Sequence, residues 1–189
     1  MKYTEAQLRE LRKKYNPFEN CEFNNKMLGM LFLNNYQIDD VVFLPSVQKN
    51  LQRDYYWDLR RKQSFIYSLF IGKPLTPMGF IHRTNDTDTE TSVLECIDGK
   101  QRLNALRSFL NNEFGFELEG ELLYAADFDK STISIFFMQV KAPIFWINEF
   151  SDGIVSDYTK LLFFKWLNPD IEQQDQNRLN QIEKQLTKC

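Results

Sequence analysis

Residues 91–114, TSVLECIDGKQRLNALRSFLNNEF, predict a β-strand followed directly by an α-helix. The run VLECID is short and mostly apolar, as in a strand, and Leu103, Leu106 and Leu110 recur at helical spacing. The polar run 98–102 lies at the corner between the two elements. Because the first turn of a helix has free N–H groups and a partial positive charge, this corner is suited to bind an anion.

The side chains of this corner are those that a phosphate-bearing ligand needs. Gly99 lets the backbone turn sharply and lets a ligand approach without a Cβ in the way. Arg102 offers a planar fork of donors, and Lys100 offers a second cation. Asp98 has four open roles, since it can cap the helix, orient Arg102, touch a ribose or hold a metal ion. The alternative is an ordinary turn with an N-cap, in which Gln101 lies on a solvated helix surface.

A second polar cluster lies upstream, in the run LQRDYYWDLRRKQSF at residues 51–65. It places Gln52 and Arg53 beside two Tyr and a Trp, ahead of a helix that opens with three cations. Cations interleaved with rings suit base stacking and phosphate contact. The alternative is a solvated helix start whose rings lie in the core.

The remaining segments predict one α+β domain, 1–189, with a helical C-terminal portion. We expect a helical N-terminal extension over 1–41, a core over about 42–168 and a C-terminal helix over 169–189. Helices are expected in the first 15 residues, from Asp58 to Gly72 and before Pro169, with Asp152 as a candidate cap of the last. Strands are expected in QIDDVVFLP, PLTPMGFIHRT and APIFWIN, and NDTDTETS is expected to be a polar hairpin loop.

Composition excludes several classes of protein. Of 189 residues, 43% are hydrophobic and 26% are charged, which is ordinary for a soluble globular domain. The net charge of -3 argues against a protein that coats nucleic acid by bulk electrostatics, although a local basic patch is compatible with it. The three Cys are far apart and form no CxxC pair or Cys/His cluster. We therefore expect no disulfide framework or structural zinc site, and a reducing cytoplasm.

Other features also favour a cytoplasmic protein without a membrane partner. The charged N-terminus lacks the apolar segment of a signal peptide, and nothing approaches 18 consecutive apolar residues. The single His, His82, excludes His-rich metal sites and leaves a Ser-His-Asp triad with one candidate base. Its run GFIHRT alternates as a strand does, so we expect a structural role for it.

Three motifs in order resemble the N-terminal domain of GmrSD-type modification-dependent restriction enzymes. The motifs are QRDYYW, SLFIGKPLTP and ECIDGKQRLNAL. In the same order, the corresponding family patterns are roughly QRxYxW, SLLxGxPIPP and DGQQRLTAL. The likeness spans about residues 42–168. The resemblance implies a ParB/sulfiredoxin-like fold, in which helices pack on a small mixed sheet.

The resemblance also implies a function related to restriction and phage defence in a bacterial or phage-infected cell. In that family the domain is associated with binding and hydrolysis of a nucleotide, which regulates DNA cleavage. The implied ligand is a nucleoside triphosphate with Mg²⁺, and further implied partners are DNA or a nuclease subunit. Asp98 and Arg102 are the candidate catalytic residues, and Asp98 is the candidate Mg²⁺ ligand. By motif position the implied phosphate-binding residues are Gln52, Arg53, Asp98, Gly99, Lys100, Gln101, Arg102 and Asn168.

Departures from the family patterns leave turnover open, and the sequence does not predict an oligomeric state. Lys100 replaces the first Gln of DGQQR, Trp166 stands where an IFxRLNxxG pattern has Arg, and no glycine follows Asn168. Large family members carry an HNH nuclease domain, whereas about 20 residues follow Pro169 here. The alternatives to an NTP-binding or NTP-hydrolysing domain are a metal-dependent DNA-nicking nuclease and a catalytically silent interaction protein. Cys96 is expected to be a core residue, unlike the catalytic cysteine of sulfiredoxin.

Overall fold

The computed structural model describes residues 4–15, 18, 21–27, 37–84, 92–129, 131–133, 141–148, 155–170 and 173–188. Two 3-10 turns lie at Pro45–Val47 and Ala125–Asp127. The expected α+β class is confirmed, since helices pack against a small mixed sheet. The described helices and strands, in chain order, are α1 (Glu5–Tyr15), β1 (Glu22–Met27), β2 (Gln37–Asp39), β3 (Phe43–Leu44), β4 (Lys49–Asn50), α2 (Leu59–Phe70), β5 (Met78–Thr84), β6 (Ser92–Asp98), α3 (Lys100–Leu110), β7 (Phe116–Leu118), β8 (Glu121–Leu123), β9 (Lys141–Asn148), α4 (Asp157–Leu167) and α5 (Gln173–Leu186).

The main sheet has five strands in the order β1-β9-β5-β6-β2. β6 runs antiparallel to β5 and parallel to β2, while β9 runs parallel to β5 and antiparallel to β1. Two short hairpins, β3-β4 and β7-β8, lie outside this sheet. The central position of β5 and β6 places the C-terminal end of β6, and therefore Asp98, beside the start of β5.

Buried residues on the two faces of the sheet form two apolar clusters. Leu94 and Cys96 of β6 belong to the cluster that includes residues of α2 and α3, whereas Ile97 belongs to the cluster that includes residues of α4 and α5. This division follows from the alternation of side chains along a strand. Helices therefore cover both faces of β6, and the corner that follows it is held from both sides.

The N-terminal region differs from the expected helical extension over 1–41. α1 is present, and Thr4 and Gln7 form the capping box, with Gln7 N–H donating to Thr4 Oγ1 at 3.3 Å. β1 and β2, however, are edge strands of the main sheet. The expected single strand QIDDVVFLP is divided, because the Asp39 carboxylate accepts the N–H of Val41 at 3.1 Å and ends the ladder after β2.

The C-terminal helices also differ in detail from the prediction. α4 is capped by Ser156, whose hydroxyl accepts the N–H of Thr159 at 3.1 Å, and Asp152 lies outside the described residues. The expected C-terminal helix is α5, and its Leu179 and Ile182 are buried in the second apolar cluster. The hairpin loop expected in NDTDTETS lies almost wholly outside the described residues, as does most of STISIFFMQV. No helix of the described residues is both long enough and apolar enough to cross a membrane.

Candidate functional site

The corner after β6 leaves the first turn of α3 without a side-chain cap. Gly99 is the N-cap residue, with φ 118° and ψ 0°, and no side chain hydrogen-bonds to this cap. A Cβ on Gly99 would lie 2.9 Å from Met78 Cγ, so both the dihedral and the close approach of β5 require glycine. The N–H groups of the first turn are therefore available to an anion.

Arg102 clamps two segments together. Its Nη2 donates to Asp98 Oδ2 at 2.9 Å and to the carbonyl of Pro77 at 3.0 Å. Its Nη1 donates to the hydroxyl of Thr76 at 2.6 Å and to the carbonyl of the same residue. The guanidinium thus holds the loop before β5 against the end of β6. Of the roles left open for Asp98, orientation of Arg102 is the one that the structure shows.

Asp98 is a shielded carboxylate with several donors around it. Burial raises the pKa of the Asp98 carboxyl above its ordinary value, and the Arg102 guanidinium and hydrogen bonds from Asn168 and the Gly99 N–H partly offset this rise. Asn168, the C-cap residue of α4, also donates to the carbonyl of Phe164 at 3.0 Å. The end of α4 therefore meets the end of β6 at this carboxylate.

Gln101 connects the two motif regions through backbone contacts. Its Oε1 accepts the N–H groups of Tyr56 at 3.1 Å and Trp57 at 3.3 Å. Its Nε2 donates to the carbonyl of Asp54 at 3.1 Å. The amide therefore fixes the 54–57 loop against the first turn of α3. This positioning role was not apparent from the sequence, where Gln101 was a candidate phosphate ligand or a surface residue.

Gln52 is buried, with 8% of its surface exposed, and joins the same corner from the other side. Its Nε2 donates to the carbonyls of Cys96 at 2.5 Å and Ile97 at 2.9 Å. Within the described part of the chain its Oε1 is buried without a hydrogen-bond partner. A buried acceptor of this kind calls for a donor, because an unmade hydrogen bond costs about 1–3 kcal/mol.

Arg53 lies on the rim of the site, between an aromatic ring and a carboxylate of α5. Its Nη2 is 2.9 Å from Asp175 Oδ2, and its guanidinium carbon is 4.6 Å from the centre of the Tyr56 ring. Arg178, one turn further along α5, donates to the carbonyls of Asn50 at 3.2 Å and Leu51 at 2.8 Å. The C-terminal helix is therefore tied to the segment that carries the first motif.

These contacts surround one cavity of about 760 Å³. The structure brings all eight residues of the predicted site to its wall, although the motifs are separated by more than a hundred positions. An apolar part of the wall is formed by rings and aliphatic side chains, which include Trp57, Phe65, Leu75, Phe164 and Leu167. Sequence reasoning missed four charged members of the wall, Lys73, Asp170, Asp175 and Arg178. Lys73 lies in the motif SLFIGKPLTP, at a position that the family pattern leaves open. The signal for Asp175 and Arg178 was their i, i+3 spacing on one helix face.

Two residues singled out by the sequence lie away from the ligand-accessible wall. Trp166 is not part of it and stacks on Phe163 at 6.0 Å, among rings that include Phe18 and Phe145. The replacement of the family's Arg at this position therefore changes an aromatic cluster rather than the cavity wall. Cys96 is fully buried, and this burial raises the pKa of its thiol well above the ordinary value. A thiol held protonated in this way is a core group, as expected.

Comparison with known protein families matches this arrangement to one family. The model described as the GmrSD restriction endonuclease, N-terminal domain, matches residues 12–188. The chain belongs to that family. The resemblance to GmrSD-type N-terminal domains is thereby confirmed, and with it a relation to restriction systems. Neither the curated proteins nor the solved structures gave a match.

The extent of the GmrSD match bears on the C-terminal helix. The resemblance read from motifs ended near residue 168, whereas the family match runs through α5. The helix that carries Asp175 and Arg178 is therefore part of the GmrSD N-terminal domain. Among the described residues no group of three His, Cys, Asp or Glu side chains is placed to hold a metal ion.

Proposed function

We propose that this GmrSD-type domain binds a nucleoside triphosphate in the cavity at the β6–α3 corner. The observation that carries the proposal is the convergence of residues from β6, α3, the 52–57 loop and the end of α4 on one cavity. The uncapped first turn of α3 opens at that cavity. A helix start of this kind supplies N–H donors and a partial positive charge for phosphate oxygens.

The cavity wall divides into groups that hold the site together and groups free to meet a ligand. Arg102 and Gln101 have their polar atoms engaged with neighbouring loops. Lys100 and Lys73 line the same cavity, and no ion pair of either ammonium is found within the described residues. We therefore assign phosphate contact chiefly to Lys100 and the first-turn N–H groups. Arg102 and Gln101 are positioning residues in this proposal.

The apolar part of the wall offers a surface for a nucleobase. Trp57 packs edge-on against Phe65 at 5.6 Å between ring centres, and both rings line the cavity. Base–aromatic stacking contributes about 1–3 kcal/mol and tolerates different bases, which fits a site without an evident code for one base. The phosphates would lie toward Lys100 and the base toward Trp57.

Mg²⁺ is the cofactor that such a ligand brings, and Asp98 is the residue that would hold it. Mg²⁺ is usually held by one or two carboxylates together with phosphate oxygens and water. Asp98 lines the cavity beside Gly99 and Lys100, so its carboxylate would hold the ion on the side of the cavity where the phosphates are proposed to lie. When bound, the ion supplies charge neutralisation for the phosphates. Hydrolysis also requires a group that orients a water molecule, and Asp98, held in place by Arg102, is the candidate for that role.

The test is isothermal titration with ATP and GTP in the presence of Mg²⁺, together with a measurement of phosphate release. We expect binding by the wild type and about tenfold weaker binding by Lys100→Ala, because a charge-assisted hydrogen bond contributes about 1.5–3 kcal/mol. Lys184→Ala, on an exposed position of α5 outside the cavity wall, is the matched control and should bind as the wild type does. The proposal is overturned if neither ATP nor GTP binds to the wild type.

Phosphate release separates the alternatives that the sequence left open. Binding with release defines an NTPase, and binding without release defines a silent nucleotide-binding domain that acts through a DNA or nuclease partner. A plasmid-nicking assay with wild type and Asp98→Ala addresses the nuclease alternative. If the wild type nicks the plasmid, Asp98→Ala does not, and no nucleotide binds, then nuclease activity replaces the proposed function.

A further inference from the structure

Asp175, in the first turn of α5, holds the guanidinium of Arg53 on the wall of the cavity. The two groups are 2.9 Å apart, and the side chains of Asp175 and Arg53 are 14% and 39% exposed. Tyr56 also contacts Arg53, since its hydroxyl accepts from the same Nη2 at 3.3 Å. Arg53, a residue of the first family motif, is thus engaged by an anion that belongs to the protein itself.

Arg178, also in α5, restricts the position of Asp175. Arg178 donates through both terminal nitrogens to the carbonyls of Asn50 and Leu51, directly before Gln52. Its Nε lies 3.9 Å from Asp175 Oδ1. The first turns of α5 therefore bind the backbone of residues 50 and 51 and place the Asp175 carboxylate beside the Arg53 guanidinium.

A carboxylate oxygen and a phosphate oxygen are alternative acceptors for the same guanidinium edge. Asp175 lies on the wall of the cavity in which the phosphates are proposed to bind, so its charge also repels them. A phosphate that accepts from Nη2 of Arg53 must displace Asp175, which lies 2.9 Å from this nitrogen. The remainder of α5 has independent anchors, because Leu179 and Ile182 are buried and Lys165 pairs with Glu183 at 2.7 Å.

We propose that Asp175 is an internal counter-anion that competes with the ligand's phosphates for Arg53. Binding then releases the first turns of α5 from the 50–53 segment, while the C-terminal part of the helix stays packed. This inference rests on the proposed function and adds regulation to it. Ligand binding in the cavity therefore changes the surface that the first turns of α5 expose.

The test compares ATP–Mg²⁺ affinity of the wild type and Asp175→Asn by isothermal titration at fixed ionic strength. We expect about tenfold tighter binding by Asp175→Asn, since the amide keeps the shape and removes the competing charge. Glu183→Gln, a matched change on the same helix outside the cavity wall, should leave the affinity unchanged. In an Arg53→Ala background, Asp175→Asn should tighten binding clearly less than tenfold, because the contested cation is gone and only the repulsion between Asp175 and the phosphates remains.

Hydrogen exchange of the wild type reports the release itself, and ATP–Mg²⁺ should speed amide exchange at residues 177 and 178. Equal or weaker binding by Asp175→Asn would show that Asp175 orients Arg53 for the ligand; it would overturn this inference and leave the proposed function standing. The same tightening in the Arg53→Ala background, or unchanged exchange in α5, would also overturn it. Absence of ATP binding by both wild type and Asp175→Asn would remove the proposed function and this inference together.

Discussion

Lys160 and Glu95 form a buried ion pair, with Nζ 2.9 Å from Oε1, that fastens α4 to β6 behind the candidate site. Their side chains are 8% and 3% exposed. Glu95 lies three positions before Asp98, and Lys160 lies on the helix that ends at Asn168. The pair therefore sets the position of the two elements whose ends meet at the Asp98 carboxylate.

Lys160→Met should lower the free energy of unfolding by about 3 kcal/mol, because it leaves a buried carboxylate with one cation fewer. Arg83 remains 2.7 Å from Glu95 Oε2, which keeps the loss at the low end of the usual range. Urea denaturation measures the change. Lys184→Met, at an exposed position of α5, should stay within about 0.5 kcal/mol of the wild type. A loss below about 1 kcal/mol for Lys160→Met would show that the pair does not fasten α4.

Gly99→Ala should lower the free energy of unfolding by about 2–4 kcal/mol, since it adds a Cβ at φ 118° and 2.9 Å from Met78 Cγ. Gly120→Ala is the matched control. Gly120 also has a positive φ, 86°, but a Cβ there meets nothing within 4 Å. Gly120→Ala should lower the free energy of unfolding by about 1–2 kcal/mol. Equal losses in the two variants, measured by denaturation, would mean that the approach of β5 contributes nothing.

How far the sequence predicted the site depends on how local each signal was. The strand, the glycine turn and the helix of residues 91–114 followed from adjacent residues, and the structure has them as β6, Gly99 and α3. Asp58 caps α2, the helix expected to begin there, through a side-chain contact three residues away. Ser156 caps α4 through a contact of the same range, although Asp152 was the candidate. Signals of this range can be read without knowledge of the fold.

Other features depend on contacts that no local pattern encodes. Arg102 was a candidate phosphate fork, yet its donors meet Thr76 and Pro77, about 25 positions earlier. Asp175 joins Arg53 across most of the chain. The same holds for β1 and β2, whose place in the sheet follows from pairing with β9 and β6. Local propensity does not determine such partners, because tertiary packing selects them.

Gln101→Ala should release the 54–57 loop, because its amide provides the acceptor for the N–H groups of Tyr56 and Trp57. Loss of these bonds, about 1–2 kcal/mol, should speed amide exchange at both residues about tenfold or more. Gln63→Ala is the control, since Gln63 donates to the Gly115 carbonyl at 2.8 Å, outside this loop. Unchanged exchange in Gln101→Ala would assign the order of the loop to its rings instead.

The Asp98 carboxyl should titrate above the ordinary value of 3.8, and carboxyl ¹³C NMR measures this directly. Burial raises its pKa and Arg102 is the largest opposing influence, so Arg102→Met should raise the pKa further. Arg107→Met, which removes the partner of Asp40 at 2.8 Å, should leave it nearly unchanged. A fall of the Asp98 pKa in Arg102→Met would contradict the ion pair.

The same shift predicts how stability depends on pH. Because the pKa of Asp98 is higher in the folded than in the unfolded state, its stabilising contribution is fully present below about 3.8 and is lost as pH rises through the folded value. The free energy of unfolding of the wild type, relative to that of Asp98→Asn, should therefore fall across this window. In an Arg102→Met background the fall should begin at the same pH, extend to higher pH and be larger. A wild type that instead gains stability over Asp98→Asn as pH rises would mean that the donors around Asp98 outweigh its burial.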